Sequence, residues 1–178
     1  MNLPTPKLKA ILLYFANCTD TKFLGKVKLM KLFYFLDFMH LKTYGTPVTY
    51  DTYINMDHGP IPTTIKNLID DAADDIEHSI LADTIYFERP SGTNMFRVMP
   101  IRKPTKKDES YLSQNELDII NKICLRFGDK TTKQTEEVSH SEAPWKNTKF
   151  LEKIPYTLAA DDADSLVTRE ELELLEQI

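Results

Sequence analysis

Apolar positions recur at helical spacing through most of this chain, and one stretch stands out because it is apolar nearly all round. Between Gly25 and Tyr44 the sequence reads GKVKLMKLFYFLDFMHLKTY. At about 3.6 residues per turn, Lys28, Lys31 and Lys42 share one narrow arc, and Lys26, Asp37 and His40 share another roughly opposite. Val27, Leu29, Met30, Leu32 to Leu36, Phe38, Met39 and Leu41 fill the circumference between them. A helix with this pattern has to be enclosed by its neighbours rather than laid on a surface. Its charges argue against a membrane span, since each costs about 2.5–3.5 kcal/mol at mid-bilayer. The pattern therefore predicts a central buried helix with the other helices packed around it.

The remaining elements follow from stripes and stop signals. Thr5-Pro6 reads as an N-cap with proline at the first helical position, opening a helix over about 6–18 with its apolar face at Leu8, Ile11, Leu12, Tyr14 and Phe15. Gly45 and Pro47 end the central helix. Residues 48–58 fit a short helix followed by a short strand, and periodicity does not decide between the two states. His58-Gly59-Pro60-Ile61-Pro62 reads as a rigid elbow, because proline pushes the preceding glycine out of the α region. Thr63 or Thr64 can cap the next helix, which carries Ile65, Leu68, Ile69, Ala72 and Ala73.

Two β-rich runs, 84–88 and 95–99, flank a Gly-containing loop and predict a hairpin. Capping boxes at Ser113/Glu116, Thr131/Gln134 and Thr168/Glu171 open three further helices. The elements add up to a mainly α protein with a small antiparallel sheet, an α+β class.

Charge changes this picture more than composition does. The chain carries a net charge of −5, unevenly spread. Residues 1–50 hold seven lysines against Asp20 and Asp37, whereas residues 161–178 hold seven acids against Arg169. Either the acidic end lies near the basic half within one molecule, or the surface is polarised for a charged protein partner. Arg102, Lys103, Lys106 and Lys107 form a basic connector, expected to be solvated. Cys18 and Cys124 stand on separate apolar helix faces, and the expectation is two buried free thiols. MNLPTPKLKA lacks a signal peptide's apolar core, so a cytoplasmic protein is expected.

Candidate chemistry is sparse. The acidic run Asp70 to Glu77 lacks the glycine and spacing of a calcium loop, and no metal or cofactor is expected. No nucleophile elbow, Walker loop, HExxH or CxxC occurs. His58 and His140 fall at helix entries, where each could act as a general base or pin a turn. Tyr34 belongs to the core, with its hydroxyl expected on a polar partner such as one of these histidines. Lys28 and Lys31 on an enclosed helix require either a structural partner or an opening to water beside Tyr34.

Three motifs in order carry a family resemblance: Lys28-Leu29-Met30-Lys31-Leu32-Phe33-Tyr34, then His58-Gly59-Pro60-Ile61, then a helix from Leu112-Ser113 leading through Ser139-His140 to Pro144-Trp145. Together they resemble the Panacea domain, the SocA-like antitoxin family also found in phage-associated proteins. Asn55-Met56 stands where an aromatic often precedes the glycine–proline pair.

The resemblance covers about residues 7–150, leaving 151–178 as an acidic extension with a short helix, expected to belong to the same domain. It implies a mostly helical domain with a small sheet, and an antitoxin that neutralises a cognate protein toxin by direct binding, without catalysis. Lys28, Lys31, Tyr34, His58, Gly59, Pro60, His140, Pro144 and Trp145 would be its structural or partner-binding residues. Occlusion would bury about 800 Å² per partner beneath an apolar patch with a charged rim, anchored by Trp145, exposed aromatics and arginines.

A homodimer is compatible with the sequence. Two other readings remain: a small enzyme using His58, His140, Tyr34 and a lysine, which requires those side chains to converge, and a nucleic-acid-associated regulator using the basic half and the connector at 102–107. The acidic total argues against the second.

Overall fold

The computed structural model describes residues 3–175. Helix α1 (Thr5–Cys18) starts one residue earlier than its proline suggested, with Pro4 as N-cap and Thr5 inside the helix. Helix α2 (Lys26–Tyr44) is buried at fourteen of its nineteen positions and ends on Gly45, whose φ of +77° closes the last turn in the left-handed region. Around it lie helix α3 (Thr63–Asp74), helix α5 (Gln114–Phe127), helix α6 (Thr132–Ser141) and a 3₁₀ turn, Tyr156–Asp161. Phe35 stacks on Phe127 with ring centroids 4.3 Å apart, tying α2 to α5. Phe15 meets Phe33 edge-on at 5.5 Å and ties α1 to α2.

The run at 48–58 forms no helix; its only element is strand β1 (Tyr53–Met56). The expected elbow is itself a strand, β2 (Gly59–Pro62), antiparallel to β1 with Met56 opposite Gly59. Strand β5 (Lys153–Ile154) pairs with the other edge of β1, giving the order β2-β1-β5. Residues 153–172 thus pack against the rest: Ile154, Ala159 and Leu172 are all buried. Strands β3 (Ile85–Glu88) and β4 (Arg97–Pro100) form the predicted hairpin.

The connector is more ordered than its charge implied. Lys106–Glu109 makes a one-turn helix, α4, with a capping box from Thr105 and Asp108, and Arg102 grips Asp108 through two bonds of 2.7 and 2.8 Å. Burial and its own hydrogen bonds matter less for Asp108 than this guanidinium, which holds its carboxyl well below the usual range.

Helix α3 takes no cap from Thr63 or Thr64. Asp51 reaches in from outside and accepts from the N–H groups of Thr64 (3.1 Å) and Ile65 (2.9 Å). The two cysteines are not free: Cys18 and Cys124 form a disulfide across the ends of α1 and α5, with Cα atoms 5.5 Å apart. Gly128 lets these ends meet, since a Cβ there would lie 2.6 Å from the Cys18 carbonyl oxygen.

Candidate functional site

The motif residues divide into two adjacent polar clusters and one outlier. In the first cluster, Lys31 of α2 donates to the Pro60 carbonyl at 2.8 Å, entirely inside the protein. Desolvation pulls its ammonium down to about 7, opposed only by the more distant charge of Glu136. Gly59 adopts φ +91°, and a Cβ there would come within 2.8 Å of Ser139 Oγ and 3.0 Å of both His140 Nε2 and Lys31 Nζ. One glycine therefore sits at the meeting point of α2, β2 and the last turn of α6.

His140 stacks on Trp145, ring centroids 3.9 Å apart and planes 10° from parallel. Its Nε2 is buried with no hydrogen-bond partner, and burial lowers its pKa. Helix α7 (Ala143–Lys146) opens with the buried Pro144 and carries Trp145, whose indole N–H points at the Met56 carbonyl, 3.4 Å away. Asn55 donates to the carbonyls of Trp145 (3.0 Å) and Thr148 (2.8 Å). His58 is exposed, with Nδ1 3.3 Å from a Glu136 carboxylate oxygen.

The second cluster surrounds Tyr34. Its buried hydroxyl donates to Glu142 at 2.7 Å rather than to either histidine. Burial, reinforced by the Glu142 charge, raises the phenol well above its usual range. Lys42 joins the same carboxylate at 3.2 Å and also reaches Asp162 (3.3 Å) and Asp164 (3.0 Å). Asp162 in turn accepts from the Ala143 N–H at 2.7 Å, so the acidic C-terminal stretch holds the start of α7. Burial raises the Glu142 pKa despite Lys42. Lys28 lies elsewhere: its buried ammonium donates to the Lys130 carbonyl at the entry to α6, and desolvation lowers its pKa to about 8.

Several residues central to this arrangement escaped the sequence reading. Asp37, fully buried, accepts from Val48 N–H (2.8 Å), Thr49 N–H (2.7 Å), the Thr49 hydroxyl and the Tyr53 hydroxyl (2.8 Å). A lone carboxylate in an otherwise apolar helix was the available signal. Lys42 stands out in the sequence only as an arc position, and nothing local marks Glu142.

These side chains do not form an open cleft. Tyr34 is committed to Glu142, Nε2 of His140 faces Gly59, and Trp145 covers the imidazole. Among the described residues no group of three or more His, Cys, Asp and Glu could hold a metal, and no helix is long and apolar enough to cross a membrane. Fold and site define an α+β protein in which buried lysines, carboxylates and a glycine brace a surface loop. Residues 29–146 match the family model described as "Antitoxin SocA-like, Panacea domain". With two thirds of its length matched, the chain belongs to that family. No curated protein and no solved structure matches the chain.

Proposed function

We propose that this protein is a cytoplasmic antitoxin, or a phage-encoded inhibitor of the same kind, that neutralises a cognate protein toxin by binding it, without catalysis or a cofactor. The observation that carries this reading is family membership across the span holding Lys31, Tyr34, Gly59, His140 and Trp145. The construction of the site supports it: these residues are spent on one another and on backbone carbonyls, as a scaffold for a surface requires. Residues 151–175 complete the same domain through β5 and the Lys42–Asp162 contact.

Particular contacts weigh against the two alternatives. An enzyme built on His58, His140 and Tyr34 needs them to converge, yet Tyr34 hydrogen-bonds Glu142, His58 lies exposed beside Glu136 and His140 is stacked on Trp145. A nucleic-acid surface on the basic half needs free lysines. Lys7, Lys9, Lys26 and Lys42 instead pair with Glu116, Asp83, Asp70 and Glu142, and Lys28 and Lys31 are buried, which leaves Lys22 of that half and Lys103, Lys106 and Lys107 of the connector exposed.

The test is to induce the gene adjacent to this one in a host cell, with and without this protein. Growth arrest by the neighbour alone, relieved by co-expression, is the expected result. A harmless neighbour, or one equally toxic in both cells, overturns the reading.

A further inference from the structure

The two polar clusters hold up one stretch of surface, residues 145–151, through the His140–Trp145 stack and the Asp162 contact to the start of α7. Phe150 and Leu151 are 53 % and 60 % exposed, side by side. Leu151 has φ +67°, a left-handed conformation that a branched apolar residue adopts at a cost. The strain is held from both sides: Leu151 N–H donates to the Asn55 carbonyl at 2.8 Å, and Glu152 N–H to the Lys149 carbonyl at 3.0 Å. Beside them lies a hollow of about 300 Å³, with Met56, Trp145 and Phe150 among its walls. Its floor is fixed by Asn55, which bonds both Trp145 and Thr148. An apolar surface held rigid in this way loses little conformational freedom when covered.

The rim selects the occupant. Lys146 lines the hollow, and Lys149 and Lys153 flank Phe150 and Leu151 in sequence; all three are exposed, and among the described residues none of their ammonium groups has a carboxylate partner. Asp57, which lines the hollow, and Glu152, which accepts from the Lys149 N–H, are the acids nearby, so three lysines stand against two carboxylates. The rim is thus positive on a chain whose net charge is −5. The apolar hollow between α2 and α3, walled by Val27, Met30, Ile61 and Ile69, differs in its rim: Lys26 and Lys66 both pair with Asp70.

We infer that this patch is the docking surface for a partner protein segment that presents a bulky apolar side chain flanked by Asp or Glu, seated against Trp145, Phe150 and Leu151 with its acids on Lys146, Lys149 and Lys153. Identifying that partner as the toxin rests on the function proposed above; the chemistry of the patch does not.

Trp145 is the only tryptophan, so its emission reports directly on occupancy. The full chain is titrated with a synthetic peptide carrying Leu-Phe between acidic residues, and with the same peptide bearing lysines in place of the acids. A saturable emission shift with the acidic peptide, weakened at least tenfold by 0.5 M salt and absent with the basic peptide, is the expected result. Equal shifts with both, or none with either, would overturn the inference.

In parallel, F150S/L151S and K146E/K149E/K153E are assayed for binding the product of the adjacent gene, with thermal melts confirming that each folds. A loss of a hundredfold or more is expected, with K146R/K149R/K153R retaining affinity. If the wild type and both loss variants bind that product equally, the patch is wrong while the antitoxin reading stands. If the wild type neither binds nor neutralises it, the antitoxin reading fails and the peptide titration still decides the patch. A wild-type dimer that F150S/L151S turns into a monomer would mean a second copy is the occupant, and would overturn the inference.

Discussion

Gly59 and Lys31 show how single positions set the site. Any side chain at Gly59 meets both the backbone penalty of φ +91° and three polar atoms within 3.0 Å. Gly59→Ala is expected to destabilise the fold by about 2–3 kcal/mol in denaturant melts; an unchanged midpoint would mean that β2 does not sit as described. The conformation was partly legible, since a glycine before proline signals an extended backbone. That Ser139, His140 and Lys31 crowd the same point was not, because they come from elements 28 and 80 residues away in sequence.

Lys31 makes a pH-dependent prediction. Its folded-state pKa of about 7 lies below the ordinary 10.5, so between those values the unfolded chain binds more protons than the folded one. Stability from this group therefore rises with pH across that window and is constant below it. Lys31→Met, which removes the buried charge, is expected to be more stable than the wild type by about 1–3 kcal/mol at pH 7, with the gap closing towards pH 10. Melts across that range test it, and a gap that does not change with pH would contradict the buried, depressed amine.

Among the elements, those with local signals were readable and those closed by distant residues were not. Ser113, Thr131 and Thr168 each cap the helix that follows them, and each was visible as a box of four residues. Helix α3 is capped by Asp51, twelve or more residues upstream, which no box pattern reveals. Asp51→Ala is expected to lower stability by about 1–2 kcal/mol.

The disulfide is the larger case of the same kind. Two cysteines 106 residues apart give no sign of proximity until α1 and α5 are seen to meet at Gly128. Closing so long a loop is worth about 3–5 kcal/mol in the chain-entropy model. Reductant should lower the unfolding free energy by that amount in the wild type and leave C18A/C124A unaffected. Quantitative alkylation of both thiols in the oxidised, folded protein would contradict the bridge.

For the whole molecule, the lopsided charge is settled internally in part. Lys42 binds Glu142, Asp162 and Asp164, so part of the acidic end does lie against the basic half, as one of the two sequence readings held. With six of that half's seven lysines paired or buried, the purified protein is expected to elute free of nucleic acid at low salt, and salt-sensitive retention on DNA or RNA would reopen the regulator reading. The enclosed helix and the family resemblance were legible from Gly25–Tyr44 and the three motifs. The shape of the surface they support was not, because Trp145, Phe150 and Asn55 are brought together only by β1 and α7.

The account stands or falls on whether this protein binds its neighbour's product directly. Isothermal titration of the two purified proteins decides it most simply. A saturable complex of defined stoichiometry with a Kd below about 1 μM, or about −8 kcal/mol, is the predicted result. No detectable heat or co-elution, for a neighbour that is toxic on its own, would contradict neutralisation by binding.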